Sequence, residues 1–356
     1  EVYSVDNLAQ ARDFFLNDEF RDGCKVDAVH PIFNNVIEIA GRKFVPNLNY
    51  ELDFIDIKGQ ERAKRASIIA AAGMHNILFE GSPGCGKSMS AKRLPYIMPP
   101  QSLDEILLAS AYESLNSNSS DFSAIRAFRS PHHTSTRSSI FGGGSGMAKI
   151  GEVALANGGV LFFDEFPHFG KQILESLREP LEDYKINISR VNSKVSYDTK
   201  FLFVAAMNPC PCGNLFSKNS TCICTDKEIA KYQNTISSPI LDRIDIYCAM
   251  GEISQDDAPS LSSKQMSDMV LNAFKHQIER GQSELNGKLS DADISKYCIL
   301  ENEAKELLNR AITSYNLSQR GINKTLKVGR TIADLRDSQI ISKSDIMESL
   351  SYRMKR

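Results

Sequence analysis

Tryptophan is absent from the 356-residue chain, and no apolar run approaches the ~20 residues that a membrane-spanning helix needs. A large excess of charge of one sign is also missing. The formal net charge is -2, which excludes wholesale coating of nucleic acid, because such binding is built from many lysine and arginine contacts to phosphate. Any DNA contact has to be local. Eight cysteines do not make a disulfide scaffold in a chain long enough to bury a core. The first residues, Glu1-Val2-Tyr3-Ser4-Val5, lack an initiator Met, a basic region and a long apolar segment. No signal peptide is read there, so the expectation is a cytoplasmic protein without membrane contact, and a piece of a longer chain. What remains is ordinary for a folded protein, with 42% hydrophobic and 24% charged residues, and a length that fits two domains plus an extension.

The strongest stretch is Gly81-Ser82-Pro83-Gly84-Cys85-Gly86-Lys87-Ser88, which fits GxxxxGK[ST] and follows the apolar run Ile77-Leu78-Phe79. A strand feeding such a loop presents successive backbone N–H groups to the phosphates of a nucleotide, at the start of a helix. Lys87 adds a point charge and Ser88 a hydroxyl for Mg²⁺, while Met89 enters the helix whose dipole faces the phosphates. The candidate nucleotide-binding set is therefore Gly81, Ser82, Pro83, Gly84, Cys85, Gly86, Lys87, Ser88 and Met89.

Ahead of this loop, residues 1–50 carry one apolar-periodic piece, Leu8 to Phe20, and then a Gly/Pro/Asn-punctuated stretch. Two readings stand for it: the tail of a preceding domain plus a linker, or a solvated arm. An Ala-rich helix over Ser67 to Ala72 is expected to end on Gly73 as its C-cap. After the loop, the helix is expected to stop at Pro95. A helix over Leu103 to Leu115, a Ser/Asn-rich surface loop and a glycine-rich stretch, Phe141 to Met147, come next. Arg126, Arg129, Arg137 and Lys149 flank that stretch, so it reads either as a phosphate-contacting loop or as a solvated basic connector.

Val160-Leu161-Phe162-Phe163 delivers Asp164 and Glu165 at the end of a buried strand, the edge at which parallel α/β sheets bind ligands. Asp164 can hold Mg²⁺ and Glu165 can polarise an attacking water. Ile173, Leu174, Leu177 and Leu181 mark an amphipathic helix broken or kinked at Pro180, followed by a hairpin over Lys185–Arg190 and Lys194–Tyr197 with Arg190 and Lys194 near its tip. A third buried run, Phe201 to Met207, ends at Asn208, whose amide can hold a water or sense a γ-phosphate. Arg243 lies between Asp242 and Asp245. A Ser/Asp-rich linker sets a boundary near Gly251, after which 264–280, 301–316, 319–336 and 342–353 read as a small all-α domain. The expected organisation is an extension over 1–50, a core over 51–251 and a helical lid over 252–356.

Cys210-Pro211-Cys212 and Cys222-Ile223-Cys224 form two CxC pairs nine residues apart. Four thiolates this close suit a closed, structural tetrahedral Zn²⁺ site, although the spacing is tighter than the usual C-x₂₋₄-C; reduced, unliganded thiols are the alternative. The pair His132-His133 is read as satisfied within the fold rather than metal-bound.

Taken in order, the phosphate loop, glycine-rich insertion, Asp164-Glu165 strand, hairpin, Asn208, Leu241-Asp242-Arg243 and helical lid resemble an AAA+ ATPase of the magnesium-chelatase-like group. Lys58-Gly59-Gln60-Glu61, Pro131-His132-His133, Asn208-Pro209-Cys210-Pro211-Cys212-Gly213 and Leu326 to Leu335 resemble its YifB/ComM branch. The resemblance covers roughly residues 50–340. It implies a central parallel sheet flanked by helices, and a ring, a hexamer in this group, with ATP between subunits. Arg243 would then be an arginine finger for the neighbouring subunit and Arg320 a sensor arginine on the lid. A Lon-like domain would precede this core, with residues 1–50 as its remnant. The resemblance further implies a DNA motor of branch-migration helicase type, used in natural transformation and recombination. Its glycine-rich insertion and hairpin would grip single-stranded or branched DNA through Arg137, Lys149, Arg190 and Lys194. Two other functions stay open: a chelatase-like subunit that remodels a protein partner, and a nucleotide-gated scaffold with little turnover.

Overall fold

The computed structural model describes residues 3–25, 30–116, 121–143, 149–189, 194–217, 219–254 and 257–353. Contacts divide the chain into Glu1–Val36 and Ile37–Arg356. In the first unit, the apolar-periodic piece over Leu8 to Phe20 lies in two helices, Leu8–Leu16 and Asp18–Gly23. Asn17 between them has an extended backbone, and its side-chain oxygen accepts from the N–H groups of Glu19 and Phe20, which starts the second helix.

The second unit contains β1 (Ile37–Ile39), β2 (Arg42–Val45), β3 (Ile77–Gly81), β4 (Gln101–Ser102), β5 (Phe128–Arg129), β6 (Val160–Phe163), β7 (Lys185–Ser189), β8 (Lys194–Asp198), β9 (Leu202–Met207) and β10 (Ile246–Met250). Five of these form the central sheet in the order β10-β3-β9-β6-β5, with every pairing parallel. Its inner strands are largely apolar because both faces are covered, with the buried Glu80 of β3 accepting from the Tyr247 hydroxyl. Ile77, Phe79, Val160, Phe162, Leu202 and Val204 turn into one core cluster, whereas Leu78, Leu161, Phe163, Phe203, Ala205 and Met207 turn into the other. The small sheet β1-β2-β4 is antiparallel, and Phe44 on β2 meets Phe274 edge to face at 5.0 Å. β7 and β8 form the expected antiparallel hairpin.

Three helix ends differ from the sequence reading. The Glu61–Gly73 helix is capped by Met74, which itself takes the left-handed conformation at φ 56°. Gly73 is required for a different reason: a Cβ there would lie 2.3 Å from His75 Nε2 and 2.6 Å from Thr331 Oγ1. The helix after the phosphate loop runs Lys87–Ile97 and contains Pro95. A proline in the last turn removes one hydrogen bond, and the burial of Leu94 and Ile97 outweighs that loss. The amphipathic stretch at 171–182 breaks at Leu177, giving Lys171–Ser176 and Arg178–Glu182, with Pro180 inside the second helix.

Beyond β10 the chain is helical, with Ser263–Glu279, Asp291–Tyr297, Asn302–Tyr315, Gln319–Leu335 and Lys343–Ser351. Asp291–Tyr297 was not legible by periodicity; Ser290 starts it by accepting from Asp293 N–H. These helices pack directly on the core. Met266, Val270, Ala273, Val328 and Ile332 share a cluster with Ile77 and Phe79, and Gln277 donates to the Ala72 carbonyl at 3.0 Å. Arg330 is fully buried and donates to Asp334 at 3.0 Å and to the Gln339 carbonyl at 2.6 Å. Past the last helix, the Tyr352 carbonyl accepts from the N–H of Tyr247 on the edge strand β10 at 2.7 Å.

Candidate nucleotide site and its arginine face

β3, β9 and β6 lie side by side, so the residues that follow them emerge together at one edge of the sheet. After β3, Gly84 and Gly86 take positive φ of 79° and 95°, and Gly86 precedes the Lys87–Ile97 helix without a side-chain cap. The first N–H groups of that helix are thus left to be satisfied by something other than a capping side chain. Gly81 also has to be glycine, since a Cβ would lie 2.7 Å from Cys85 Sγ and from the Met250 carbonyl. The loop is accordingly a backbone cradle with its N–H donors at a positive helix end, which fits a polyphosphate.

Lys87 is buried, and its ammonium donates to the carbonyls of Gly81 at 2.6 Å and Ser82 at 2.9 Å and to Asn208 Oδ1 at 3.1 Å. Burial lowers its pKa, against the pull of Cys85 and Asp164. Ser88 Oγ donates to Asp164 Oδ2 at 2.7 Å. A hydroxyl and a carboxylate from two adjacent segments meet there, a pair of hard oxygen donors that fits Mg²⁺. Asp164 Oδ1 also accepts from the Glu165 N–H at 3.0 Å, and Glu165 stands in the left-handed conformation at φ 50° with its carboxylate exposed. The turn is backed by packed rings: Phe163 lies 4.3 Å from Phe169 and 5.7 Å from Phe203, both pairs tilted.

Two partners in this region were not foreseen in the sequence. His133 Nδ1 lies 3.5 Å from Glu165 Oε2, which gives that histidine a place beside the candidate base. Glu182, at the end of the Arg178–Glu182 helix, accepts from both Arg243 and Arg320. Arg243 is buried and is further tied to the Pro239 carbonyl at 2.5 Å. Arg320 is the second residue of the Gln319–Leu335 helix and is largely exposed. Among the described residues neither arginine shares a hydrogen bond with Lys87, Ser88, Asp164, Glu165 or Asn208. The structure brings the two arginines to each other, on a face lined by Glu182, Asp242, Lys324 and Lys327.

Of the basic residues read as loop or hairpin contacts, Arg126 is only 5% exposed and donates to Glu105 and to the carbonyls of Pro99, Pro100 and Gly158. Arg129 pairs with Glu113 and Glu152. Both serve the fold, so neither is a free phosphate contact. Arg137 donates to Ser176 Oγ at 3.0 Å and lies over the Phe141 ring. Lys149 bridges back to Gly143 across the base of the glycine-rich stretch. Gly142 packs on the hairpin: a Cβ there would fall 2.5 Å from Ile188 Cδ1 of β7. Loop base and hairpin are therefore neighbours. Arg190, the side chain of Lys194 and residues 144–148 lie outside the described residues.

The four cysteines do converge. Sγ atoms of Cys210, Cys212 and Cys222 lie 3.4, 3.7 and 3.6 Å apart, and Cys224 completes a group within 4.8 Å. Backbone N–H groups of Asn214 and then Ile223 push the Cys212 thiol down to about 6, while the Cys222 and Cys224 thiols are pushed up beside the other sulfurs.

A five-stranded parallel sheet, a phosphate loop after one strand and an Asp-Glu pair after the next but one define a nucleotide-binding core of AAA+ type. Residues 53–258 match the family described as magnesium chelatase, subunit ChlI, and residues 260–353 match its C-terminal part. The chain is 39% identical over 308 residues to the YifB protein of Salmonella typhimurium and 38% identical over 309 residues to the competence protein ComM of Haemophilus influenzae, in each case 85% of this chain. It belongs to the magnesium-chelatase-like family, in the YifB/ComM branch. It spans 60% of the length of those two relatives. A weaker likeness, 28% over 139 residues, links 38% of the chain to 14% of the DNA replication licensing factor Mcm2 of Drosophila melanogaster.

Proposed function

We propose that this chain is the ATP-hydrolysing subunit of a ring-forming, hexameric DNA motor. The observation that carries the hydrolytic part is the Ser88–Asp164 hydrogen bond of 2.7 Å, set beside the 3.1 Å contact of Lys87 with Asn208. Lys87 would exchange its carbonyl partners for the β- and γ-phosphates, and Ser88 with Asp164 would hold Mg²⁺, which supplies neutralising charge when bound. Glu165, exposed and aimed out of the sheet edge, would orient the attacking water, while Asn208 reports on the γ-phosphate. Arg243 and Arg320 would act on the nucleotide of a neighbouring copy, with 51–251 as the core and 252–356 as the lid that turns between nucleotide states. Cys210, Cys212, Cys222 and Cys224 would hold a structural Zn²⁺ whose shell is closed and offers no catalytic position.

DNA as the substrate is supported by the competence protein among the relatives and by the packing of Gly142, at the base of the glycine-rich stretch, against Ile188 of the hairpin; Arg137, Lys149, Arg190 and Lys194 would then be its phosphate contacts. The family description, a magnesium chelatase subunit, favours a protein partner instead. ATPase turnover measured with and without single-stranded or forked DNA at low salt separates them, since the electrostatic contribution is largest there. Stimulation that is lost in the Arg190→Ala, Lys194→Ala double variant supports the motor. No DNA binding at low salt rejects it.

A further inference from the structure

Beyond the buried Pro209 and Cys210, the segment that carries Asn208 has little apolar surface to hold it. Between β9 and the Asp226–Gln233 helix, residues 208–225 form no helix or strand among the described residues, and Phe216 and Ile223 are exposed at 53% and 84%. A stretch of this kind cannot fix a side chain by burial. Its first residue, Asn208, nevertheless meets Lys87 at 3.1 Å, and Cys210, two residues later, is fully buried. A second contact ties the same stretch to the phosphate loop. Gly213 takes φ 81°, and a Cβ on it would lie 2.6 Å from Cδ and 2.8 Å from Cγ of Pro83, with Asn208 Cγ at 3.8 Å. The backbone of the cysteine segment thus abuts the tip of the nucleotide cradle.

The sulfur spacing suits one particular closure. Zn–S bonds of about 2.3 Å in a tetrahedron put sulfurs about 3.8 Å apart, whereas a disulfide puts them about 2 Å apart. The 3.4 to 3.7 Å separations among Cys210, Cys212 and Cys222, with Cys224 within 4.8 Å of the others, are far too long for a disulfide and lie near the first arrangement.

We infer that zinc held by Cys210, Cys212, Cys222 and Cys224 is a brace for the nucleotide site, so that ATP affinity depends on the metal. The inference rests on the zinc reading given above. Zinc closes the segment. The closed segment holds Asn208 against Lys87 and Gly213 against Pro83, and these contacts keep the loop in its phosphate-binding form. The metal acts through positioning and touches neither phosphate nor water.

The test uses the whole chain purified without chelators under reducing conditions. Zinc is counted with a chromogenic chelator, and affinity for a fluorescent ATP analogue is followed before and after zinc removal and after zinc is returned. One zinc per chain, an affinity about tenfold weaker without it and recovery on zinc return support the brace; a tenfold change corresponds to one modest contact energy. Gly213→Ala provides the second arm because it leaves every sulfur in place. It is expected to keep its zinc and its cooperative melting, yet to bind the analogue several-fold more weakly. Absence of zinc from the purified protein overturns the zinc reading and the brace together. Zinc present, with analogue binding unchanged by both removal and Gly213→Ala, overturns the brace alone.

Discussion

The nucleotide edge and the arginine face make opposite use of charge. At the edge, Lys87, Ser88, Asp164 and Asn208 come from three strand ends and are already hydrogen-bonded to one another within a single chain. On the other face, Arg243 and Arg320 share Glu182 and have no contact with that edge among the described residues. One region joins its polar groups across strand ends, and in the other a single carboxylate, Glu182, holds both arginines. On the proposed reading the lesson is a division of labour: a single copy would bind ATP, whereas the groups that would stabilise the transferring phosphoryl are held on Glu182.

The comparison breaks most sharply at its two ends. Lys87→Ala is expected to abolish nucleotide binding, and Glu165→Gln to leave ATP bound while turnover falls by about 10²- to 10⁴-fold. Equilibrium binding beside single-turnover hydrolysis reads both. Arg243→Ala is expected to lower turnover by about 10³-fold while dilute protein binds ATP as before. Loss of binding by that variant would join the two regions into one site.

Next in size is the acid stability of the region behind the arginine face. His75 is fully buried, and its imidazole pKa is pushed down to about 4 by burial, with Asp245 opposing and Lys327 and Lys288 adding to the shift. The folded histidine stays neutral while the unfolded one takes up a proton below its ordinary value of 6.5. Stability from this residue is therefore intact above pH 6.5 and is lost as pH falls towards 4, by up to ~3 kcal/mol. Urea midpoints from pH 7 to pH 4 should fall more steeply for the wild type than for His75→Asn.

The smallest expected effect concerns Glu182. Glu182→Gln removes the competitor for two guanidinium groups, and because the carboxylate is 43% exposed the pairs are screened. The apparent KM for ATP of the assembled protein should drop by about threefold, with a weaker salt dependence. A rise in KM would mean that the carboxylate aims the arginines rather than withholding them.

Much of the site was legible because its parts are local. The phosphate loop and the Asp164-Glu165 turn each follow a strand buried on both faces, announced by the apolar runs Ile77-Leu78-Phe79 and Val160-Leu161-Phe162-Phe163. Glu182 and His133 were not legible, since their partners lie 61 and 32 positions away in the sequence and only the fold joins them. Arg126 misled for the reverse reason. An arginine near glycines reads as solvated, yet backbone carbonyls at Pro99, Pro100 and Gly158 and the Glu105 carboxylate enclose it. Gly73 shows that an expected cap can be a clearance: the ring of His75 and the hydroxyl of Thr331 need the space a side chain would fill.

The bond from Tyr247 N–H to the Tyr352 carbonyl bears on how copies of this protein avoid adhering wrongly. β10 is the outer strand of the sheet, and an outer strand with free amides is a template for a stray strand from another molecule. A residue more than a hundred positions downstream occupies that template. Removing the segment after Ser351 should therefore make the protein prone to aggregate through an uncovered strand edge, and it also takes the buried Tyr352 ring out of the core.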